Sequence, residues 1–450
     1  MIRTPTVFAM PKSGDGNFPM NRSVPETAVE AFLRRPRPLI LRCGVQHYAW
    51  GDPDYIPKLI GVPNRERKPY AELWIGAHAE LLAVARVGAS EVPLPLLLHG
   101  AGEAVLGRRD VERFGGELPF LLKILAAARP LSIQAHPDKR QARAGFEREN
   151  RLGIRPDAPH RNYHDDNHKP ELIVALTDFY ALRGFRPLDE IGAVLASVPE
   201  LHDLAANYCP TRDSLTDLYS RLMRTDQDEV DAILTPLLRR LQEEAAHQAF
   251  SKEQTEYWVL RADSLFSEDG HRDRGLFSVF LLNPVHLLPG EAMYLPAGEL
   301  HAYLEGAGVE IMANSNNVLR GGLTAKHTDV DELLRILTFD AGEVNVIGTG
   351  LGPEEERVVY ETPSEEFILS RLRITAARPY AGVAGHSLEL GVVIQGRVVV
   401  SAMSLEGGLE GLELRRGGVF LVPYGLDYRI SCTTSHSGEA VVFMAGIPED

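Results

Sequence analysis

The sequence predicts a mainly β protein interrupted by one helical insertion, and three observations predict it. Short apolar runs separated by Gly and Pro dominate residues 38–187 and return from Leu276 to the end. Between Leu188 and about Leu265, apolar residues instead recur at three- and four-residue steps. A strand-turn unit occurs twice near the C-terminal end, as Gly-Glu-Ala-Met-Tyr-Leu-Pro-Ala-Gly over 290–298 and Gly-Gly-Val-Phe-Leu-Val-Pro-Tyr-Gly over 417–425. Pro fixes φ and Gly permits a left-handed residue at such a turn, a unit that recurs in double-stranded β-helix barrels. Three residues past the second copy's last Gly stands Tyr428, where the first copy has His301.

Along the chain, Leu39-Ile40-Leu41 and Leu81 to Val87 read as strands, and Pro119 to Leu125 as a helix or a buried strand. Glu190 to Val198, Leu215 to Met223 and Glu229 to Ala245 read as amphipathic helices, with Pro236 kinking the last or dividing it in two. A short helix is expected at Asp329 to Leu337, capped by Asp329. The expected division is an irregular N-terminal arm (1–37), a first β domain (38–187, completed by 275–340), a helical insertion (188–268), a β segment over 269–345 and a C-terminal β domain (346–450).

A formal net charge of −15 argues against nucleic acid or an anionic membrane as the main partner. It leaves room for a small anionic substrate, provided that a few cations gather in one pocket. Three cysteines, Cys43, Cys209 and Cys432, stand far apart with no metal-like spacing, which fits a reducing, cytoplasmic setting. No run reads as a signal peptide or a membrane span.

Four clusters carry chemistry. In Leu131-Ser-Ile-Gln-Ala-His-Pro-Asp138, a strand would place Ser132, Gln134 and His136 on one face. In Asn167-His-Lys-Pro-Glu-Leu-Ile-Val-Ala-Leu176, Lys169 and Glu171 share a face around Pro170, which marks a strand start or edge. In Pro296-Ala-Gly-Glu-Leu-His-Ala-Tyr303, His301 and Tyr303 share a face just past a turn. The stretch from Glu310 to Lys326 ends in Arg320, two Gly and Lys326; an Arg can hold an oxyanion in a fork and a Lys adds a point charge. Each cluster alone is a common strand end or polar loop. Together they offer two imidazoles (His136, His301), a carboxylate (Glu171) and an amide (Gln134), of which the first three are ordinary Zn²⁺ ligands. Lys123, Lys169, Arg320 and Lys326 supply the cations.

These segments, together with Tyr48-Ala-Trp-Gly51, Ala71-Glu-Leu-Trp-Ile-Gly76 and Asn317-Val-Leu-Arg-Gly-Gly-Leu-Thr324, occur in the order seen in type I mannose-6-phosphate isomerases, which the chain resembles from about Leu41 to Leu337 and more faintly beyond. The resemblance implies cupin barrels with a helical insertion and one bound zinc. It implies Gln134, His136, Glu171 and His301 as zinc ligands and Arg320 as the active-site arginine. Lys123, Ser132, Lys169, Tyr303, Glu310 and Lys326 resemble positions that contact the sugar phosphate or assist proton transfer, and Trp50 and Glu72 lie in matching motifs. It also implies aldose–ketose isomerisation of mannose 6-phosphate through a cis-enediol. One departure bears on the base: Asn316 stands where the family has Asp, and an amide does not titrate. Lys169 and Glu310 are the remaining candidates. Ala325 replaces a family Pro. Two rival readings are a non-haem Fe(II) cupin oxygenase, since two His and a carboxylate also describe its triad, and a non-catalytic sugar-phosphate-binding cupin.

Overall fold

In the computed structural model, which describes residues 26–348, 355–403, 411–434 and 438–449, antiparallel strands alternate with helices, and one long run of helices lies between Leu188 and Leu281. The β-rich fold class with a helical insertion is what the structure has. No helix among the described residues is long and apolar enough to cross a membrane.

The chain forms two compact units, each assembled from separated segments. The first gathers the described residues within 1–126, 309–314 and 348–450. Its eight-stranded sheet runs in the order Arg357–Tyr360, Ile368–Thr375, Glu439–Gly446, Glu389–Gln395, Val419–Val422, Leu39–Arg42, Val84–Val87, Ser90–Pro93. A four-stranded sheet, Tyr380–Val383, Asp427–Cys432, Arg397–Ala402 and Gly411–Arg415, accompanies it. Val393, Val398, Val400, Phe420, Val422, Tyr428 and Val442 belong to one buried cluster that spans both sheets. Leu39–Arg42 therefore pairs with Val419–Val422 from the far end of the chain, burying Leu39 and Leu41. That grouping cuts across the chain order of the textures.

The second unit gathers residues 127–308 and 315–347. Here Leu282–Leu287 pairs with Phe179–Phe185, which pairs in turn with the start of His301–Ala313. Ile133–Ala135 lies between His301 and Leu319–Gly322, and Glu171–Ala175 pairs with Ala292–Leu295. The two repeat copies share their backbone signature: Gly290 and Gly298 have φ of 95° and 77°, Gly417 and Gly425 of 79° and 75°. All four sit in the left-handed region that glycine enters without steric cost.

Several elements differ from the sequence reading. The arm contains a helix at Glu26–Arg34; residues 1–25 lie outside the described part. Helices also form at Leu94–Leu106, Arg108–Phe114 and Lys139–Arg151, within the stretch read as β-rich. The ambiguous run is a strand, Phe120–Ala127, buried along its whole length. Leu276 does not restart the strands: Gly275–Leu281 is a helix buried on all sides, and an apolar circumference leaves no periodicity to read. The short helix at Val330–Ile336 is capped by Asp329, which accepts from Glu332 N.

Pro236 neither ends nor divides its helix. Gln227–His247 is one element, started by the Asp226 cap and held by Val230, Leu234, Leu237, Leu238 and Leu241, all buried. The proline has no N–H for the Ala232 carbonyl, and its ring is exposed. Burial of the apolar stripe outweighs that defect. Pro236→Ala should therefore raise Tm by several degrees. The interior penalty removed is about 3 kcal/mol, less about 0.4–1 kcal/mol returned through the freer unfolded chain. A thermal melt with unchanged or lower Tm would show that the helix needs its proline.

Candidate metal centre

The second unit brings three of the four expected ligands to one point. His301 opens its strand and is paired across the sheet with Gln134, which is paired in turn with Arg320. Directly opposed residues of antiparallel strands share a face, so Arg320, Gln134 and His301 form a row. The strand ends at Ala135, and His136 follows it with its ring centroid 5.0 Å from that of His301. Glu171 opens the neighbouring Glu171–Ala175 strand. Its Oε1 lies 3.3 Å from His136 Nε2 and its Oε2 lies 3.5 Å from His301 Nε2. His136, Glu171 and His301 are buried, and one ligand atom from each lies within 4.8 Å of the others.

Hydrogen bonds decide which ring nitrogen faces the carboxylate. His136 Nδ1–H donates to the carbonyl of Asn317 at 2.7 Å, and His301 Nδ1–H to that of Glu299 at 3.1 Å. Each ring then turns a bare Nε2 lone pair inward, the arrangement that a second layer of acceptors imposes on metal-binding histidines. His136 Nε2 and Glu171 Oε2 are buried with no hydrogen-bond partner. Burial and then the nearby charge of Lys169 push His136 down to about 4, so its ring is neutral and its lone pair available. Burial would raise the Glu171 carboxyl, but the charge of Lys169, with His136, outweighs it and holds the group well below the usual carboxylate range.

Two lone pairs aimed at an ionised carboxylate repel it unless a cation joins them. Two imidazole nitrogens and a carboxylate oxygen are the ordinary donors of a catalytic zinc site with an open position. The residues therefore fit a divalent metal. The Gln134 amide adds a fourth group, with Nε2 3.4 Å from His301 Nε2 and its carbonyl oxygen on the other arm of the amide.

The remaining candidates fall into place unevenly. Lys169 joins the centre, with Nζ 3.0 Å from Glu171 Oε1. Arg320 is half-buried, has no hydrogen-bond or ion-pair partner among the described residues, and is lowered by desolvation. Tyr303 is buried, its ring 5.2 Å from Phe179 and 6.3 Å from His301. Ser132 is half-buried just before its strand, and Lys326 is exposed. In the first unit, Lys123 and Glu310 meet each other: Lys123 Nζ lies 3.0 Å from Glu310 Oε2 and 3.3 Å from Glu72 Oε1. Trp74 Nε1 donates to Glu72 Oε2 at 2.8 Å, and Trp50 stacks on Tyr48. Sequence reasoning missed the parts played by Asn317 and Asp165, because polar residues between two strands read as a solvated loop.

Comparison with known proteins points to one family. Residues 39–188 match the family model for the phosphomannose isomerase type I catalytic domain. Mannose-6-phosphate isomerase of Escherichia coli is 40% identical over 329 residues, 72% of this chain and 81% of the relative. Mannose-6-phosphate isomerase 1 of Arabidopsis thaliana is 35% identical over 443 residues, 93% of this chain and 95% of the relative. The crystal structure of mannose 6-phosphate isomerase from Salmonella typhimurium with fructose 6-phosphate and zinc superposes with a TM-score of 0.77 at 32% identity, covering 92% of this chain and all of that one. With its His–Glu–His cluster and relatives matched over most of their length, the chain belongs to the type I mannose-6-phosphate isomerase family.

Proposed function

We propose that this protein interconverts mannose 6-phosphate and fructose 6-phosphate, with one zinc held by Gln134, His136, Glu171 and His301. The observation that carries the reading is the convergence of two inward Nε2 lone pairs on buried Glu171, with Arg320 in the same row. Family membership supports this reading over the iron oxygenase.

The reaction moves a proton between C1 and C2 of the sugar through an enediol. Zinc, when bound, supplies a Lewis acid for the carbonyl oxygen. The protein's groups do the rest. Lys169 balances the Glu171 carboxylate across 3.0 Å, which keeps that charge tolerable in a buried site. Among the described residues Arg320 has no carboxylate of its own to satisfy. It is left to grip an anion, either the phosphate or the enediolate, and desolvation makes such charge-assisted bonds strong. Proton transfer at carbon falls to Lys169 or Glu310, because the Asn316 amide has no proton to exchange in the useful range. On the family's motifs, Lys123, Ser132, Tyr303, Lys326 and Trp50 are assigned to the substrate.

Purified protein given mannose 6-phosphate should form fructose 6-phosphate, stop after chelation and recover with zinc. No turnover in folded, zinc-loaded protein would favour a non-catalytic binding role, with Asn316 marking the lost activity. Arg320→Ala should lower kcat/KM by about 10²–10³-fold, the usual cost of removing one charge-stabilising donor. Because the Arg320 side chain has no partner among the described residues, Tm should hold or rise. A large fall in Tm at native kcat/KM would make Arg320 structural.

A further inference from the structure

Asn317 is fully buried where an apolar residue would be cheaper, so its amide must be repaid by hydrogen bonds. Every donor and acceptor of that amide is used. Nδ2 donates to Asp165 O at 2.8 Å, Asp165 Oδ1 at 3.1 Å and Asn167 O at 2.8 Å. Oδ1 accepts from His164 N at 2.7 Å and Asp165 N at 3.3 Å. The segment so held, His164 to Asn167, runs directly into Lys169 and Glu171. Meanwhile the main-chain carbonyl of the same residue accepts the Nδ1–H of His136 at 2.7 Å. Asp165 closes the arrangement from the other side: its carboxylate accepts from Ser315 Oγ at 2.8 Å, Asn316 N at 2.7 Å and Asn167 N at 3.0 Å. One residue thus holds His136 through its backbone and the approach to Glu171 through its side chain.

We propose that Asn317, locked by Asp165, is a positioning residue that fixes the distance between His136 and Glu171 and so sets metal affinity and coordination geometry. The proposal rests on the reading of His136, Glu171 and His301 as a metal centre. No other side chain of this size replaces the amide. Ala deletes all five bonds, and Asp would turn the two-proton donor into an acceptor facing three oxygens.

The test compares native protein with Asn317→Ala and Asp165→Asn, using zinc affinity by chelator competition and the visible absorption of the Co²⁺-substituted proteins. Tyr163→Phe is the control: it removes the 2.6 Å bond to Glu332 at the base of the same segment without touching His136. Asn317→Ala should bind zinc about 10–100-fold more weakly, as loss of groups behind metal ligands usually does, with displaced cobalt bands. Asp165→Asn should move both readouts the same way, and it decides the question if Asn317→Ala does not fold. Tyr163→Phe should lower Tm and leave the cobalt spectrum alone. Native affinity and native cobalt bands in Asp165→Asn and in any folded Asn317→Ala would overturn the proposal. A native protein that binds no zinc would overturn the metal-centre reading beneath it.

Discussion

A carboxylate buried between two imidazoles is the constraint on which the rest depends. Glu171 is ionised out of contact with water, and the nitrogens nearest it carry lone pairs rather than protons. Left so, the group would be among the costliest in the molecule, since an uncompensated buried charge is worth several kcal/mol against folding. Lys169 supplies one compensating charge, and a bound cation would supply the other. Much of the neighbouring architecture follows from holding that cluster still. Two strand starts and the residue just past a third strand contribute its members, two main-chain carbonyls orient its rings, and a saturated amide ties the segment before Glu171 to the residue behind His136.

That arrangement shows how a buried site can be polar and still satisfied. Buried polar networks are stable only when nearly complete. Around Asn317 and Asp165 the side chains are hydrogen-bonded throughout, while two atoms of the centre are orphaned: His136 Nε2, 3.3 Å from Glu171 Oε1, and Glu171 Oε2, 3.5 Å from His301 Nε2. Arg320 extends the same logic. It is half-buried, lacks a counter-ion among the described residues, and stands two strands from His301, an expense that an anionic substrate would offset.

Much of this was legible in the sequence, for identifiable reasons. Period-two spacing put Lys169 beside Glu171, and they form an ion pair. Gln134 and His136 both reach His301 even though the strand stops at Ala135. The repeated strand-turn unit showed in its glycines, whose left-handed φ values coincide between copies. What was not legible is non-local or aperiodic. Nothing near Leu39 announces Val419–Val422 as its sheet neighbour. The Gly275–Leu281 helix is buried all round and shows no stripe. Pro236 speaks against a continuous helix locally and is outvoted by five buried side chains in the same element. Asn317 reads as loop polarity until its partners, far away in sequence, are seen around it.

The proposed function turns on whether His136, Glu171 and His301 together hold one zinc ion. Crystals of the native protein, purified without chelator and measured on both sides of the zinc absorption edge, test it most directly. One anomalous peak is expected, about 2.0–2.2 Å from His136 Nε2, His301 Nε2 and a Glu171 oxygen. An anomalous map of zinc-soaked crystals with nothing between these three side chains would contradict it.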